Sequence, residues 1–297
     1  MSGKLKEVRE RIKSVQSTQQ ITKAMKMVSA AKLRRAQQAI TEMRPYANRL
    51  DKMLKNILSN LDGDATTSFG QVREVKHVAV VVVTSNRGLC GAFNTNIVKA
   101  AIAKIEGDYA HHVANGTLKI VCIGKKGYDV LRRRYNANLI VKDFVNLFND
   151  LSYEHVAQVS QMLMDDFEAG DLDEVWVSYG KFRNAAIQEP TLVQFLPVIQ
   201  SKELDNTKGK KADYIFEPSK EKLLKELVPS ILQTTFQKFV LDTHASEHGA
   251  RMTAMDKATE NAEEIMKELK INYNKARQEA ITKELSEIVG GAAALNG

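Results

Sequence analysis

The chain has 297 residues, of which 43% are hydrophobic, 27% charged and only 6% aromatic, and its net charge is +7. No stretch approaches the roughly 18 apolar residues that span a bilayer, and the sequence is charged from Lys4 onward with no apolar leader. Cys90 and Cys122 read as reduced, buried thiols rather than a disulfide or a metal pair.

Residues 1–58 carry 14 Lys or Arg against Glu7, Glu10, Glu42 and Asp51, a local balance of +10. Such a segment expects an acidic partner surface, nucleic acid or anionic lipid. Apolar positions step by 3 and 4 from Leu5 through Val8, Ile12 and Val15, and again from Leu33 through Ala36, Ile40, Met43, Ala47, Leu50, Leu54 and Ile57. A period of 3.5 predicts a left-handed coiled-coil seam, on a helix roughly 80 Å long at about 1.5 Å per residue. Pro45 is a candidate kink. Between the two runs the same seam reads Gln19, Thr22, Lys26, Ser29, while Ile21, Met25 and Val28 keep apolar spacing one position away. Either the seam drifts here, or the helix offers a second contact surface to another protein.

The middle of the chain reads as α/β. Val-rich His77–Ser85 is a strand buried on both faces, and Asn94–Ile105 is a helix. Leu118–Gly124 is a second strand, followed by a helix over Lys125–Tyr135 and a short strand within Leu139–Phe144. Ser152 is placed to cap an amphipathic helix running to Glu168. Glu174–Phe182 and Thr191–Ile199 read as further strands. Alternating strands and helices predict a Rossmann-like α/β domain with a mostly parallel sheet. Asp62–Gly70 and Glu203–Asp213 read as flexible joins.

From 219 to 289 a second long helix is predicted, interrupted early by Pro229. Its seam is read at Met255, Ala258, Ala262, Ile265, Leu269, Tyr273, Ala276 and Ala280, shifting to Ile281, Leu285 and Ile288. Long seams at opposite ends of one chain predict an antiparallel, left-handed coiled coil. The divisions expected are 1–60, an N-terminal coiled-coil helix; 72–200, the α/β domain; and 214–297, a C-terminal helix pairing with 1–60.

Two motifs suggest chemistry. His244–Met252, HASEHGARM, contains H-x-x-E-H, the spacing of one class of zinc peptidase. That chemistry needs a third ligand and a closed cavity. A straight helix cannot fold back on its own earlier turn, so this segment is read as helix surface with contacts where the rod enters or leaves its socket, and no metal is expected. Ser85–Asn94, SNRGLCGAFN, lies between a strand and a helix, where phosphate loops occur, but has neither G-x-G-x-x-G nor G-K-[ST]. A tight turn is the expectation, and no cofactor. Nucleic acid is argued only by charge: residues 1–58 offer Tyr46 as the sole aromatic for base stacking.

The runs IKSVQSTQQITKAMKMVSAAKLRRAQ, TSNRGLCGAFN, ASEHGARMTAMDKAT and YNKARQEAITKELSEIVGGAAAL resemble, in order, the gamma-subunit family of F-type rotary ATP synthases, over essentially the whole chain. The resemblance implies a non-catalytic rotor shaft. Its two terminal helices form an antiparallel coiled coil inside a ring of three alpha and three beta subunits, and its α/β domain contacts the epsilon subunit and the membrane ring of c subunits. Proton flow would turn ring and shaft together, driving ATP synthesis on beta, at the cytoplasmic face of a bacterial plasma membrane. Met25 within KAMKM would then match a coupling contact. Arg251 in GARM, read as exposed shaft, and Arg277, Gln278 and Thr282 would match positions bonding the ring. Ile281, Leu285 and Ile288 would run in an apolar sleeve. Plastid members carry an inserted cysteine pair; this chain lacks the insert, so no thiol switch is expected. A basic coiled-coil scaffold that binds nucleic acid is the alternative.

Overall fold

The computed structural model describes residues 2–59, 68–198 and 220–295. The join read at 203–213 lies outside the described residues, as does the part of the other join up to 67. The elements in order are α1 (Ser2–Ser59), β1 (Val78–Val83), α2 (Phe93–Asp108), α3 (Ala110–Asn115), β2 (Leu118–Ile123), α4 (Lys125–Leu131), β3 (Ile140–Val141), α5 (Tyr153–Ala169), β4 (Glu174–Phe182), β5 (Gln188–Leu196) and α6 (Lys220–Leu295), with short 3₁₀ turns between some of them. They divide into two compact units, one of residues 1–29 with 251–297, the other of 30–250.

The first unit is a two-helix antiparallel coil. Lys4 pairs with Glu279, Arg9 Nη2 donates to Tyr273 Oη at 3.0 Å, Thr22 meets Thr259, and Lys26 pairs with Asp256. From Lys4 to Lys26 the partner number falls from 279 to 256, so the register is constant along the pair. Every seam position predicted from Leu5 to Ser29 is buried or half-buried, including polar Gln19, Thr22, Lys26 and Ser29. On α6 the seam runs Met255, Thr259, Ala262, Met266, Leu269, Tyr273, Ala276 and Ala280. Ile265, assigned to the seam from sequence, is 42% exposed. Met266 sits there instead, because steps of 4 and 3 from Met255 fall on 259, 262, 266 and 269.

The second unit is built on a five-stranded sheet of order β3-β2-β1-β4-β5, parallel except for β5, which pairs antiparallel with β4. The run VAVVVV of β1 is fully buried because both of its faces are covered. Ala79, Val81 and Val83 face one core with α5 and the Val228–Val240 stretch of α6; Val78, Val80 and Val82 face the other, with α2 and Leu131 of α4. Each such valine contributes on the order of 1.5–3 kcal/mol by leaving water.

Local expectations are corrected at several points. Neither proline ends its helix: α1 runs through Pro45 and α6 through Pro229. Proline removes one backbone donor, but next to Pro229 the buried Val228, Ile231 and Leu232 anchor the helix to the core. Ser152 does stand at the cap of α5, but its hydroxyl makes no capping bond; its N–H donates to Asp150 Oδ1 at 2.9 Å.

Candidate functional site

The crevice beyond the carboxyl ends of the strands, where strand order reverses, is where open α/β sheets bind ligands. Here it lies between β1 and β4. On the β4 side α6 occupies it: Gly180 N–H donates to Thr243 Oγ1 at 3.2 Å, and Ser246 Oγ donates to Gly180 O at 3.0 Å. On the β1 side the turn SNRGLCGAFN is bound to itself. Ser85 N–H donates to Asn94 Oδ1 at 2.9 Å, Asn94 Nδ2 to Ser85 Oγ at 2.8 Å, and Ser85 Oγ to Arg87 O at 2.6 Å. The position that would cradle a phosphate is thus occupied by the chain's own side chains.

The HASEH stretch, read from sequence as helix surface with contacts at the rod's socket, is buried rather than surface. His248 is 5% and Glu247 6% exposed, and the whole run from Leu241 to Ala250, apart from half-buried His244, is buried in the α/β unit. Nε2 of His248 lies 3.1 Å from Nε2 of His244. Among the described residues no three His, Cys, Asp or Glu side chains are grouped to hold a metal. Cys90 and Cys122 are buried and unbridged, and burial pushes the Cys122 thiol up to about 12. A surface depression lined in part by Asp143, Asp150 and His155 holds an exposed polar contact, His155 Nδ1 to Asp150 Oδ2 at 2.7 Å. The backbone N–H of Ser152 is the main cause that holds Asp150 below the usual carboxylate range.

The surface with most to offer a partner is on the coiled coil. Ile21 (59% exposed), Met27 and Val28 project from α1 beside half-buried Met25. The seam there is closed by polar pairs, so the apolar stripe faces outward, as the displaced spacing predicts. Exposed Lys23 lies within it, and exposed Lys6, Arg11 and Lys13 continue the positive charge along α1 towards its N-terminus.

At the other end of the coil α6 outruns its partner. Lys4 already reaches Glu279, so among the described residues no helix lies beside α6 beyond about Ile281. Ile281 (50%), Leu285 (57%), Ile288 (67%) and Val289 (67%) are exposed on that overhang. Exposed Arg277, Gln278 and Thr282 lie on the same four turns. These six predicted residues therefore come together.

Met25 and Arg251 do not join them: Arg251 precedes Arg277 by 26 residues, roughly 39 Å of helix at about 1.5 Å each. Arg251 also corrects its reading, being only 7% exposed. The polar stretch of α6 that ends there belongs to a buried segment, which a view of α6 as bare shaft overlooks. Sequence reasoning passed over Leu89, 64% exposed at the apex of the turn with φ of 63°. A leucine in the left-handed region is strained; its flanking glycines were the available signal.

A protein-family profile described as ATP synthase matches residues 4–295. The chain is 52% identical over 295 residues to the ATP synthase gamma chain of Cytophaga hutchinsonii, covering 98% of this chain and 99% of that one. It is 52% identical over 294 residues to the ATP synthase gamma chain of Flavobacterium psychrophilum, with 99% of each covered. Among solved structures, a chain of the Euglena gracilis mitochondrial ATP synthase, in an assembly of OSCP, F1 and c-ring, has the same fold at 23% identity, with a TM-score of 0.68 and 99% of this chain and 95% of that one covered.

Proposed function

This chain belongs to the family of ATP synthase gamma chains, and on that premise we propose that it is the central rotor shaft of a proton-translocating ATP synthase. It carries torque between a membrane ring of c subunits and the nucleotide sites of three beta subunits, and performs no catalysis itself. The observation that carries the reading is the antiparallel coil ending in an unpaired apolar overhang, on a chain related end to end to ATP synthase gamma chains. That relationship favours a shaft over a basic coiled coil that binds nucleic acid.

The mechanism follows from shape and surface. A two-helix coil has no threefold symmetry, so as it turns it presents a different face to each of three surrounding beta subunits. The overhang carrying Ile281, Leu285 and Ile288 turns in an apolar sleeve made by the alpha and beta subunits. Apolar contact suits a bearing because it has no direction, whereas a hydrogen bond would have to break at every step. Arg277, Gln278 and Thr282 bond the ring just inside the bearing. Met25, beside the exposed Ile21–Val28 stripe, is the coupling contact, and the basic residues of α1 face acidic beta-subunit surface. The epsilon subunit and the c-ring bind the α/β unit. No described helix is long and apolar enough to cross a membrane; the c-ring holds the chain to the cytoplasmic face of the bacterial plasma membrane.

Mixing the purified chain with alpha and beta subunits of the same source tests this reading. The expected product contains three of each and one copy of this chain, with ATPase activity that depends on it. A chain that stays alone, or that captures RNA instead, overturns it.

A further inference from the structure

We propose that His244 and His248 form a two-imidazole chelate for a divalent transition-metal ion of the zinc class, a structural clasp on α6 rather than a catalytic centre. This departs from the sequence expectation of no metal, which concerned a three-ligand enzyme site.

The geometry carries it. Residues four apart share one helix face, and here the two Nε2 atoms converge to 3.1 Å with the rings near perpendicular, at 78°. An ion about 2.0–2.1 Å from each nitrogen would subtend roughly 98° across that 3.1 Å gap. That lies between octahedral and tetrahedral ligand angles. Without an ion, two nitrogens this close must share one proton, since two N–H groups would collide. A metal ion would take that proton's place and accept one lone pair from each nitrogen.

Both rings are fixed in advance. His244 stacks on Phe148, with centroids 6.0 Å apart and 26° between planes, and His248 is 5% exposed within the fold. Preorganised ligands lose little freedom on binding. His244 is only half-buried, so the pair is not sealed from solvent. Imidazole selects zinc, copper and nickel over magnesium or calcium.

The full chain, stripped with chelator, is titrated with Zn²⁺ by calorimetry and followed by thermal unfolding. The expected result is one equivalent bound and a raised Tm that chelator reverses. His244→Gln and His248→Gln should each weaken that binding by at least about ten-fold, while His155→Gln leaves it unchanged. His244→Gln is the decisive variant, because a half-buried position tolerates the change and its metal-free Tm reports folding separately. Binding of Cu²⁺ should add a spin-resonance signature of two equivalent nitrogens, lost in the same variants. No heat of binding, or a Zn²⁺ affinity that His244→Gln leaves intact, overturns the proposal.

Discussion

Thr22 Oγ1 and Thr259 Oγ1 lie 2.7 Å apart in the seam between α1 and α6. Each hydroxyl is also within bonding distance of its own helix backbone, Gln19 O at 3.0 Å and Met255 O at 2.7 Å. The contact fixes the register of the coil where its apolar residues turn outward. Removing one hydroxyl takes away the bond between the helices but leaves the other hydroxyl its own backbone carbonyl, whereas replacing both by valine restores an apolar seam of the same shape. Thr22→Val or Thr259→Val alone is expected to cost about 0.5–1.5 kcal/mol, and the pair together clearly less than the two single costs combined. Urea unfolding of all four proteins forms the double-mutant cycle that checks this.

Gly124 joins β2 to α4 with φ at +90°, and a Cβ there would stand 1.9 Å from Thr84 O. Gly124→Ala is expected to cost more than about 4 kcal/mol, because backbone cannot move aside as a side chain can. Gly107, exposed within α2, has open space around its missing Cβ. Gly107→Ala is expected to gain about 0.5–1 kcal/mol of helix stability. Thermal unfolding of both variants tests the contrast.

Burial lowers the His112 imidazole from its ordinary value, and neighbouring His111 lowers it further. The folded chain therefore takes up this proton less readily than the unfolded chain. Between the folded value and about 6.5 the unfolded state holds more protons, so stability falls as pH drops through that window. The midpoint of thermal unfolding should decline from pH 7.5 towards 5.5, with a smaller slope in His112→Gln. An unchanged slope in that variant would remove His112 from the account.

With its thiol pushed up to about 12 by burial, Cys122 carries almost no thiolate at neutral pH. Cys90 is buried as well. In the native chain at pH 8 neither should react quickly with a maleimide, and both should react within the dead time after denaturation. One fast thiol in the native state would contradict the packing described.

Met25 and Arg251 separate two kinds of effect. Met25→Lys adds a charge at a half-buried position beside an outward apolar stripe. It should leave assembly intact while lowering ATP-driven proton pumping, because it makes a charge-assisted bond that must break on every turn. Arg251→Ala should instead lower stability by about 1.5–3 kcal/mol along with turnover, since it removes a side chain that is buried in the fold. Pumping at full rate in Met25→Lys, or an unchanged midpoint in Arg251→Ala, would reverse that division.

The parts legible from sequence were those that leave a period. Leu5, Val8, Ile12 and Val15 record which side of α1 meets another helix, and VAVVVV records a strand covered on both faces. Stretches buried on every side leave none. From Val228 to Ala250 α6 lies within the α/β unit, and a helix covered all round shows no stripe to read. So the depth at which HASEH is buried went unread, and Arg251, the next residue, looked like open shaft. Ile265 was misassigned because Ala258 and Ala262 allow two counts, and only contacts such as Thr22–Thr259 choose between them. The overhang was hidden for a different reason. Its exposure depends on which α1 residue faces Glu279, a pairing that neither helix states alone.

Rotation tests the central claim most directly. With a ring of three alpha and three beta subunits immobilised, a bead is tethered through a cysteine introduced at exposed Ile187 and ATP is added. A shaft predicts rotation in one direction, in three steps per turn, that stops when ATP is removed. A chain that binds the ring yet holds the bead still while ATP is hydrolysed would contradict the account.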